Sequence, residues 1–542
     1  MSAATAYGHG VSDTPLLGET IGSNIERMAA QHADREAVVV VHQGVRWSYS
    51  QFAAEIDRVA RALVASGLAP GDRMGIWAPN CAEWLLVQYA SAKAGVILVN
   101  VNPAYRTSEL EYVLRQSGAS LLVAARAFKT SDYAAMVAEV SPRCPELKRT
   151  VFLDSPDWPE LLASGAEDVA LAQELQFDDP INIQYTRGTT GFPKGVTLTH
   201  HNILNNGFFI GEACGYTSAD RVCIPVPFYH CFGMVLGNLA CTTHGACIVV
   251  PAPAFEPTAT LRAVEQERCT SLYGVPTMFI AELDLPAFSD YDLSTLRTGI
   301  MAGSPCPVEV MRKVIERMHM SEVTIAYGMT ETAPVSTQTG ADDDLEHRTT
   351  TVGRVHPHVE IKIVDPISGA CVARGESGEL CTRGYSVMQG YWNDPEQTAA
   401  AIDAAGWMHT GDLATMDGDG YVNIVGRSKD MIIRGGENVY PREIEEFLYS
   451  HPDIRDVQVV GVPDARFGEE IAAFVITRPG GALDTETVRE FCAGRIAHYK
   501  VPRYVIVIDE FPMTVTGKIQ KFRLREQAIE ELDLRDAVSQ TA

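Results

Sequence analysis

The sequence predicts an α/β protein: a large N-terminal lobe of parallel sheets covered by helices, a β-rich subdomain, and a small mobile α+β C-terminal domain. Three observations predict it. Strand and helix signals alternate through the first half of the chain. After about residue 350 the texture changes to short alternating segments separated by Gly, Asp and Pro turns. The run Gly426-Arg427-Ser428-Lys429-Asp430 then breaks the pattern ahead of a compact segment of roughly 110 residues, an ordinary size for an independent domain. The expected units are 1–426, a hinge at 427–430, and 431–542.

Each element follows from local pattern. Ser50 is placed to cap a helix whose apolar positions Phe52, Ile56, Val59, Leu63 and Val64 keep the 3.6-residue period. Residues 74–77 read as a short buried strand, 82–93 as a helix and 96–100 as another strand. A helix around Leu110, Val113 and Leu114 leads into a strand at 120–124. Repetition of this unit implies parallel sheets covered by helices. The rhythm returns with a strand at 247–250, a helix at 261–265 and a strand at 271–273. In the β-rich part, 359–364, 378–382 and 421–425 read as strands. Asp417-Gly418-Asp419-Gly420 reads as a hairpin turn, because it lacks the third acidic ligand and distal Glu of a calcium loop. Beyond the break, Pro441 opens a helix with Ile444, Phe447 and Leu448 on one face. Strands are expected at 457–460 and 472–476, and a helix at 488–496.

Bulk properties narrow the function. At 542 residues the chain is too long for one compact core. Its 46% hydrophobic and 21% charged content is that of a globular protein. A net charge of −25 argues against a nucleic-acid partner, since phosphate backbones are held by basic stripes. The 12 cysteines contain no Cys-x-x-Cys pair and read as reduced thiols of a cytoplasmic protein. No apolar run approaches the roughly 18 residues of a membrane span, so no transmembrane segment is expected; peripheral membrane contact stays open.

The most informative stretch is Tyr185-Thr186-Arg187-Gly188-Thr189-Thr190-Gly191-Phe192-Pro193-Lys194-Gly195, which follows the apolar run at 181–184. Glycines let backbone approach a ligand, successive N–H groups make an anion nest, and Lys194 adds a point charge. This describes a phosphate-gripping loop. It is not the Walker pattern, because Gly195 rather than Ser or Thr follows Lys194. A nucleotide is therefore expected outside the ordinary P-loop fold; the alternative is a Gly/Thr surface loop.

Further blocks carry chemistry. Tyr327-Gly328-Met329-Thr330-Glu331-Thr332 joins a ring that stacks on a purine, a hydroxyl that donates to phosphate and a carboxylate that holds Mg2+. Thr410-Gly411-Asp412-Leu413 offers a carboxylate for a ribose diol, with Arg427 as a second contact. Gly435 and Gly436 stand beside polar groups where a narrow ligand could slide past backbone. Lys518 follows a glycine turn near the chain end.

In this order the blocks closely resemble the adenylate-forming superfamily of acyl-CoA synthetases, firefly-luciferase-like enzymes and peptide-synthetase adenylation domains. The resemblance spans residues 20–530 and is nearest to medium- or long-chain fatty acyl-CoA synthetases. It implies ATP, Mg2+ and CoA as reactants or cofactors, and a carboxylic acid as substrate. Thr186, Arg187, Gly188, Thr189, Thr190, Gly191 and Lys194 would hold the β- and γ-phosphates. Thr330 would contact the α-phosphate and Glu331 the magnesium ion. Tyr327 would border the adenine with the Gly303-Ser304-Pro305 turn, while Asp412 and Arg427 bind ribose. Lys518 would bridge the attacking carboxylate and the α-phosphate, Lys429 would serve as the hinge, and Gly436 would lie along the pantetheine tunnel. His230, in Pro227-Phe228-Tyr229-His230-Cys231-Phe232-Gly233, falls where the family places an aromatic gate near the acyl site. The acyl pocket is expected along 230–234, near Met278 and Ala302-Gly303, and along 333–336, with small residues leaving room for an elongated apolar tail.

One position departs from the family. Arg187 stands where Ser or Thr is usual; it would pair with phosphate or point outward in a still-active enzyme. An aryl- or branched-carboxylate:CoA ligase is the second reading, and a catalytically silent nucleotide- or acyl-binding protein the reading from another class. A peptide-synthetase adenylation domain or a light-producing oxygenase fits less well. Oligomeric state stays open, with a homodimer compatible.

Overall fold

The computed structural model describes residues 4–165, 169–171, 174–186, 193–304, 306–427, 430–434, 437–464, 467–481, 483–493, 495–496, 498–514 and 519–534, with backbone alone for Arg427, Glu437 and Asn438. Its centre is two large sheets covered by helices. The first runs Gly390–Tyr391, Lys194–Thr199, Pro180–Thr186, Ile97–Asn100, Arg73–Trp77, Leu121–Ala124, Arg149–Phe152. It is parallel from Pro180–Thr186 to the far edge, and antiparallel at its other two strands. The second runs Arg354–Val355, Val335–Gln338, Glu322–Gly328, Thr298–Ala302, Ser271–Gly274, Arg221–Cys223, Cys247–Val250, Glu36–Val40, Val45–Ser48. Its interior strands are parallel and its edges antiparallel. All four residues of Ile97–Asn100 are buried, as a strand covered on both faces requires. The helix Ala82–Ala94 is apolar and buried nearly all round, which places it inside the lobe rather than on its surface.

The helix Tyr49–Ala65 starts two residues earlier than expected. Ser48, not Ser50, is its cap: Ser48 Oγ accepts from Gln51 N at 3.2 Å, and Gln51 Oε1 accepts from Ser48 N at 2.9 Å. This reciprocal pair satisfies two backbone donors that the helix leaves unmade.

A third, antiparallel sheet orders Tyr7–His9, Val359–Val364, Gly378–Gly384, Met408–Met416 and Val422–Arg427, the expected β-rich part joined by an N-terminal strand. Its hairpin closes on Asp417, whose Oδ1 accepts from the backbone of Asp419 and Tyr421, both at 2.9 Å. Residues after 430 build a sheet of their own, with Tyr504–Val507 lying parallel to Gly468–Thr477. Ile432, Val439, Ile444, Leu448, Val457 and Ile471 form part of its core. The helix expected at 488–496 is Thr485–Cys492, because Asp484 Oδ1 caps it through Thr487 N at 2.8 Å. Arg442 Nη1 donates to Ile424 O at 2.8 Å and Glu446 accepts from Val308 N at 3.4 Å, so this unit rests against both large parts of the chain. No helix among the described residues is long and apolar enough to cross a membrane. All 12 cysteines are free thiols, and all but Cys371 are buried.

Candidate active site

The glycine-rich loop hangs from a hairpin. Pro180–Thr186 and Lys194–Thr199 pair antiparallel with Thr186 opposite Lys194, so these two side chains mark the loop's mouth. Arg187, Gly188, Thr189, Thr190 and Gly191 lie outside the described residues.

The Thr330–Glu331–Thr332 block reaches that mouth from the other sheet. Strand Glu322–Gly328 ends at a glycine because a Cβ there would sit 1.6 Å from Pro334 O. The chain then folds into a short 3-10 turn at Thr330–Thr332, held by Met329 N to Pro334 O at 2.9 Å and Thr332 N to Met329 O at 2.8 Å. Thr330 and Glu331 are 8% and 6% exposed. Thr186 Oγ1 donates to Glu331 Oε1 at 3.4 Å, and the Tyr391 hydroxyl donates to the same oxygen at 3.0 Å. Burial pushes the Glu331 carboxyl above the usual carboxylate range, while the bonds from Tyr391 and Thr186 and the nearby Lys194 ammonium oppose that rise. Lys194 Nζ donates to Gln397 Oε1 at 2.6 Å and lies 4.9 Å from the centre of the Tyr391 ring.

Hard oxygens thus meet here: the Glu331 carboxylate and the Thr186 hydroxyl, with Thr330 next to Glu331 in the chain. Both hydrogen bonds made to the carboxylate by described residues fall on Oε1. Such a donor set, completed by substrate phosphates and water, fits Mg2+ rather than a thiophilic metal.

A second pair forms beside it. The Tyr327 hydroxyl donates to Asp412 Oδ2 at 2.7 Å, and Asp412 is 6% exposed. The expected adenine and ribose residues therefore touch. Gly411 precedes Asp412 at φ +70, a conformation that favours glycine, in a stretch where the pairing between Gly378–Gly384 and Met408–Met416 shifts register. Asp412 stands opposite Arg427 in the next strand, whose side chain lies outside the described residues. Gly303, at φ +90, and Ser304 follow the strand Thr298–Ala302; Pro305 lies outside the described residues.

His230 lies on the segment that joins these groups to the apolar interior. Its Nδ1 accepts from Phe232 N at 3.1 Å, which fixes the ring. Next to it Cys231 Sγ lies 3.8 Å from Thr330 Oγ1, and burial pushes this thiol up to about 12. Phe232–Leu239 is a buried π-helix, a feature no local pattern announced. Phe232, Met234, Tyr273, Met278, Ala302 and Ala333 belong to one buried apolar cluster. Lys429, Gly436 and Lys518 lie outside the described residues.

Sequence reading missed Tyr391 and Gln397. The block Gly390-Tyr391-Trp392-Asn393 was the available signal, since an aromatic cluster after a glycine in a polar stretch invites the question of what it packs on.

The chain is similar to known proteins along nearly its whole length. A family model described as AMP-binding enzyme matches residues 25–392, and one described as AMP-binding enzyme C-terminal domain matches residues 443–518. A putative acyl-CoA synthetase, YngI of Bacillus subtilis, is 51% identical over 96% of this chain and 99% of its own length. The mitochondrial medium-chain acyl-CoA ligase ACSF2 of Danio rerio is 44% identical over 98% of this chain and 92% of its own. The crystal structure of the anthranilate CoA ligase AuaEII with anthranoyl-AMP superposes with a TM-score of 0.87 at 26% identity, covering 95% of this chain and 98% of that one.

Proposed function

The chain belongs to the AMP-binding enzyme family, and from that premise we propose a medium- or long-chain fatty acid as its acyl substrate. It is an AMP-forming acid–thiol ligase, an acyl-CoA synthetase. A carboxylate attacks the α-phosphate of ATP, giving acyl-adenylate and pyrophosphate; the CoA thiol then attacks the acyl carbonyl and AMP leaves.

The observation that carries the reading is the meeting of Thr186 and Glu331 at the mouth of the anion-binding loop. The first half-reaction brings two anions together, so the protein's work is charge neutralisation and alignment. In our assignment Thr186 and Lys194, with Arg187, Gly188, Thr189, Thr190 and Gly191 between them, grip the β- and γ-phosphates. Thr330 donates to the α-phosphate, and Glu331 would hold Mg2+, which supplies neutralising charge to the polyphosphate. Tyr327 and the Gly303-Ser304-Pro305 turn border the adenine, while Asp412 and Arg427 hold the ribose. Lys518 would bring its ammonium to the reacting oxygens. Thioester formation needs another approach, which a swing of residues 431–542 about Lys429 supplies by withdrawing Lys518 and presenting Gly436 to pantetheine. His230, held by Phe232 N, closes or opens the acyl entrance as a gate rather than acting as a base.

The fatty-acid assignment draws on the buried apolar cluster beside Thr330, on its small members Ala302 and Ala333, and on the medium-chain name carried by the ACSF2 relative. CoA consumption measured across straight-chain acids from acetate to stearate, with several aromatic acids alongside, tests it. A peak among medium or long chains is expected; a preference for aromatic acids would transfer the chain to the aryl ligases.

A further inference from the structure

Outside the nucleotide site, one group of side chains remains unused. Glu379, Cys381 and His409 bring a carboxylate oxygen, a thiol sulfur and an imidazole nitrogen within 4.8 Å of one another, the only such group of three or more among the described residues. Strand geometry explains the meeting. Glu379 and Cys381 are two residues apart in Gly378–Gly384 and so share a face, and Cys381 pairs directly with His409 in Met408–Met416. His409 Nδ1 lies 2.9 Å from Glu379 Oε2 and 3.5 Å from Cys381 Sγ.

We propose that Glu379, Cys381 and His409 form a binding site for one thiophilic divalent cation of the zinc type. The donor set of sulfur, imidazole nitrogen and carboxylate oxygen is what such ions select, whereas Mg2+ and Ca2+ want oxygen alone. The other ring nitrogen of His409 lies 3.9 Å from Asp403 Oδ2, which puts a second carboxylate within ion-pair reach of the ring. Cys381 is fully buried against Val364 and Trp407, which walls one side from water, while His409 and Glu379 are 36% and 18% exposed and leave an entry for the ion. Lys362, paired across from Cys381 in the neighbouring strand, and Arg383, two residues on from Cys381, are the opposing charges; both lie over the Trp407 ring, 4.5 Å from the centroid, and Arg383 is held by Glu360 Oε2 at 2.6 Å. Two carboxylates, together with the thiolate that coordination creates by releasing the thiol proton to solvent, outweigh them. Glu379 also holds the loop of the proposed ribose site, since its Oε1 accepts from Gly411 N at 3.0 Å.

The test is cobalt titration of the metal-free full chain, followed by displacement with zinc. One ion per chain and a thiolate-to-cobalt charge-transfer band are expected, unchanged in Cys371→Ser, which removes the exposed thiol. Cys381→Ser should abolish the band. Glu379→Gln, which keeps an acceptor for Gly411 N, should weaken binding by about tenfold or more, a loss typical of a disturbed metal site. Absence of the band in the native chain, or its survival in Cys381→Ser, overturns the proposal. If Cys381→Ser does not fold, unchanged affinity in Glu379→Gln overturns it instead.

Discussion

The Tyr391 hydroxyl donates to Glu331 Oε1 at 3.0 Å across 60 residues of sequence, and the Tyr391 ring lies beneath Lys194 Nζ. One aromatic residue thereby braces both the buried carboxylate and the lysine at the mouth of the glycine-rich loop. A hydrogen bond to a charged group is worth about 1.5–3 kcal/mol. Tyr391→Phe should therefore lower kcat by about tenfold to a hundredfold while leaving the fold intact. Its bond favours the ionised carboxylate, so its loss lets burial raise the Glu331 carboxyl further. The acid limb of the pH–rate profile should move to higher pH; an unmoved limb would show that Glu331 does not set it.

Glu331→Gln separates catalysis from stability. Removal of a placed electrostatic stabiliser commonly costs about 10²–10³ in rate. The sign for stability is opposite. The folded carboxyl titrates above its unfolded value, so its favourable contribution is full below the unfolded pKa and is lost as pH rises through the folded one. The ligand-free variant should melt higher than the native chain at neutral pH, with the difference shrinking in acid. Equal melting temperatures at neutral pH would refute the burial argument.

Tyr327→Phe keeps the ring and removes only the 2.7 Å bond to Asp412. If the pair orients the carboxylate for the ribose, KM for ATP should rise by about threefold to tenfold with kcat nearly unchanged, the scale of one modest hydrogen bond. A fall in kcat with unaltered KM would place Tyr327 elsewhere in the cycle.

Ser48→Ala tests the cap that replaced the expected one. Losing the acceptor for Gln51 N should destabilise the chain by about 1 kcal/mol without touching activity. Ser50→Ala should do much less, because Ser50 follows the first helical residue rather than the cap. Comparable losses from both would contradict the structural assignment.

These cases show what the sequence disclosed. Strands buried on both faces, such as Ile97–Asn100, are continuous apolar runs and were legible as strands. Their direction was less so: Lys194–Thr199 folds straight back on Pro180–Thr186, making an antiparallel pair that strand and helix alternation does not reveal. Two helix starts were placed too late because the apolar period marks a helix interior, whereas Ser48 and Asp484 act through side-chain bonds just outside it. Glu331, Asp412 and Lys194 could be singled out because each sits in a short block of chemically matched residues. Their partners could not. Tyr391 and Gln397 reach the site through the edge strand Gly390–Tyr391 and the helix Pro395–Ala401, and only tertiary packing brings them to residues 60 and 203 positions away.

Arg187→Ser places in the proposed phosphate loop the residue that the family resemblance leads us to expect there. A guanidinium pairs with phosphate more strongly than a hydroxyl does, so the arginine should reinforce pyrophosphate binding. The substitution is expected to weaken pyrophosphate affinity and slow adenylate formation. A large gain in the rate of adenylate formation would mean that the arginine crowds the loop instead.

The two half-reactions provide the last test, because Lys518 and Gly436 are assigned to different ones. Lys518→Ala should cost adenylation about 10²–10³ in rate, the scale for losing a charge aimed at the reacting phosphate. The same variant, given acyl-adenylate and CoA, should still form the thioester at close to the native rate, since the proposed swing would withdraw the lysine. Gly436→Leu should do the reverse, leaving carboxylate-dependent ATP–pyrophosphate exchange intact while blocking thioester formation. Loss of both half-reactions in each variant would mean that one fixed arrangement of residues 431–542 serves both steps, and the swing about Lys429 would have to be given up.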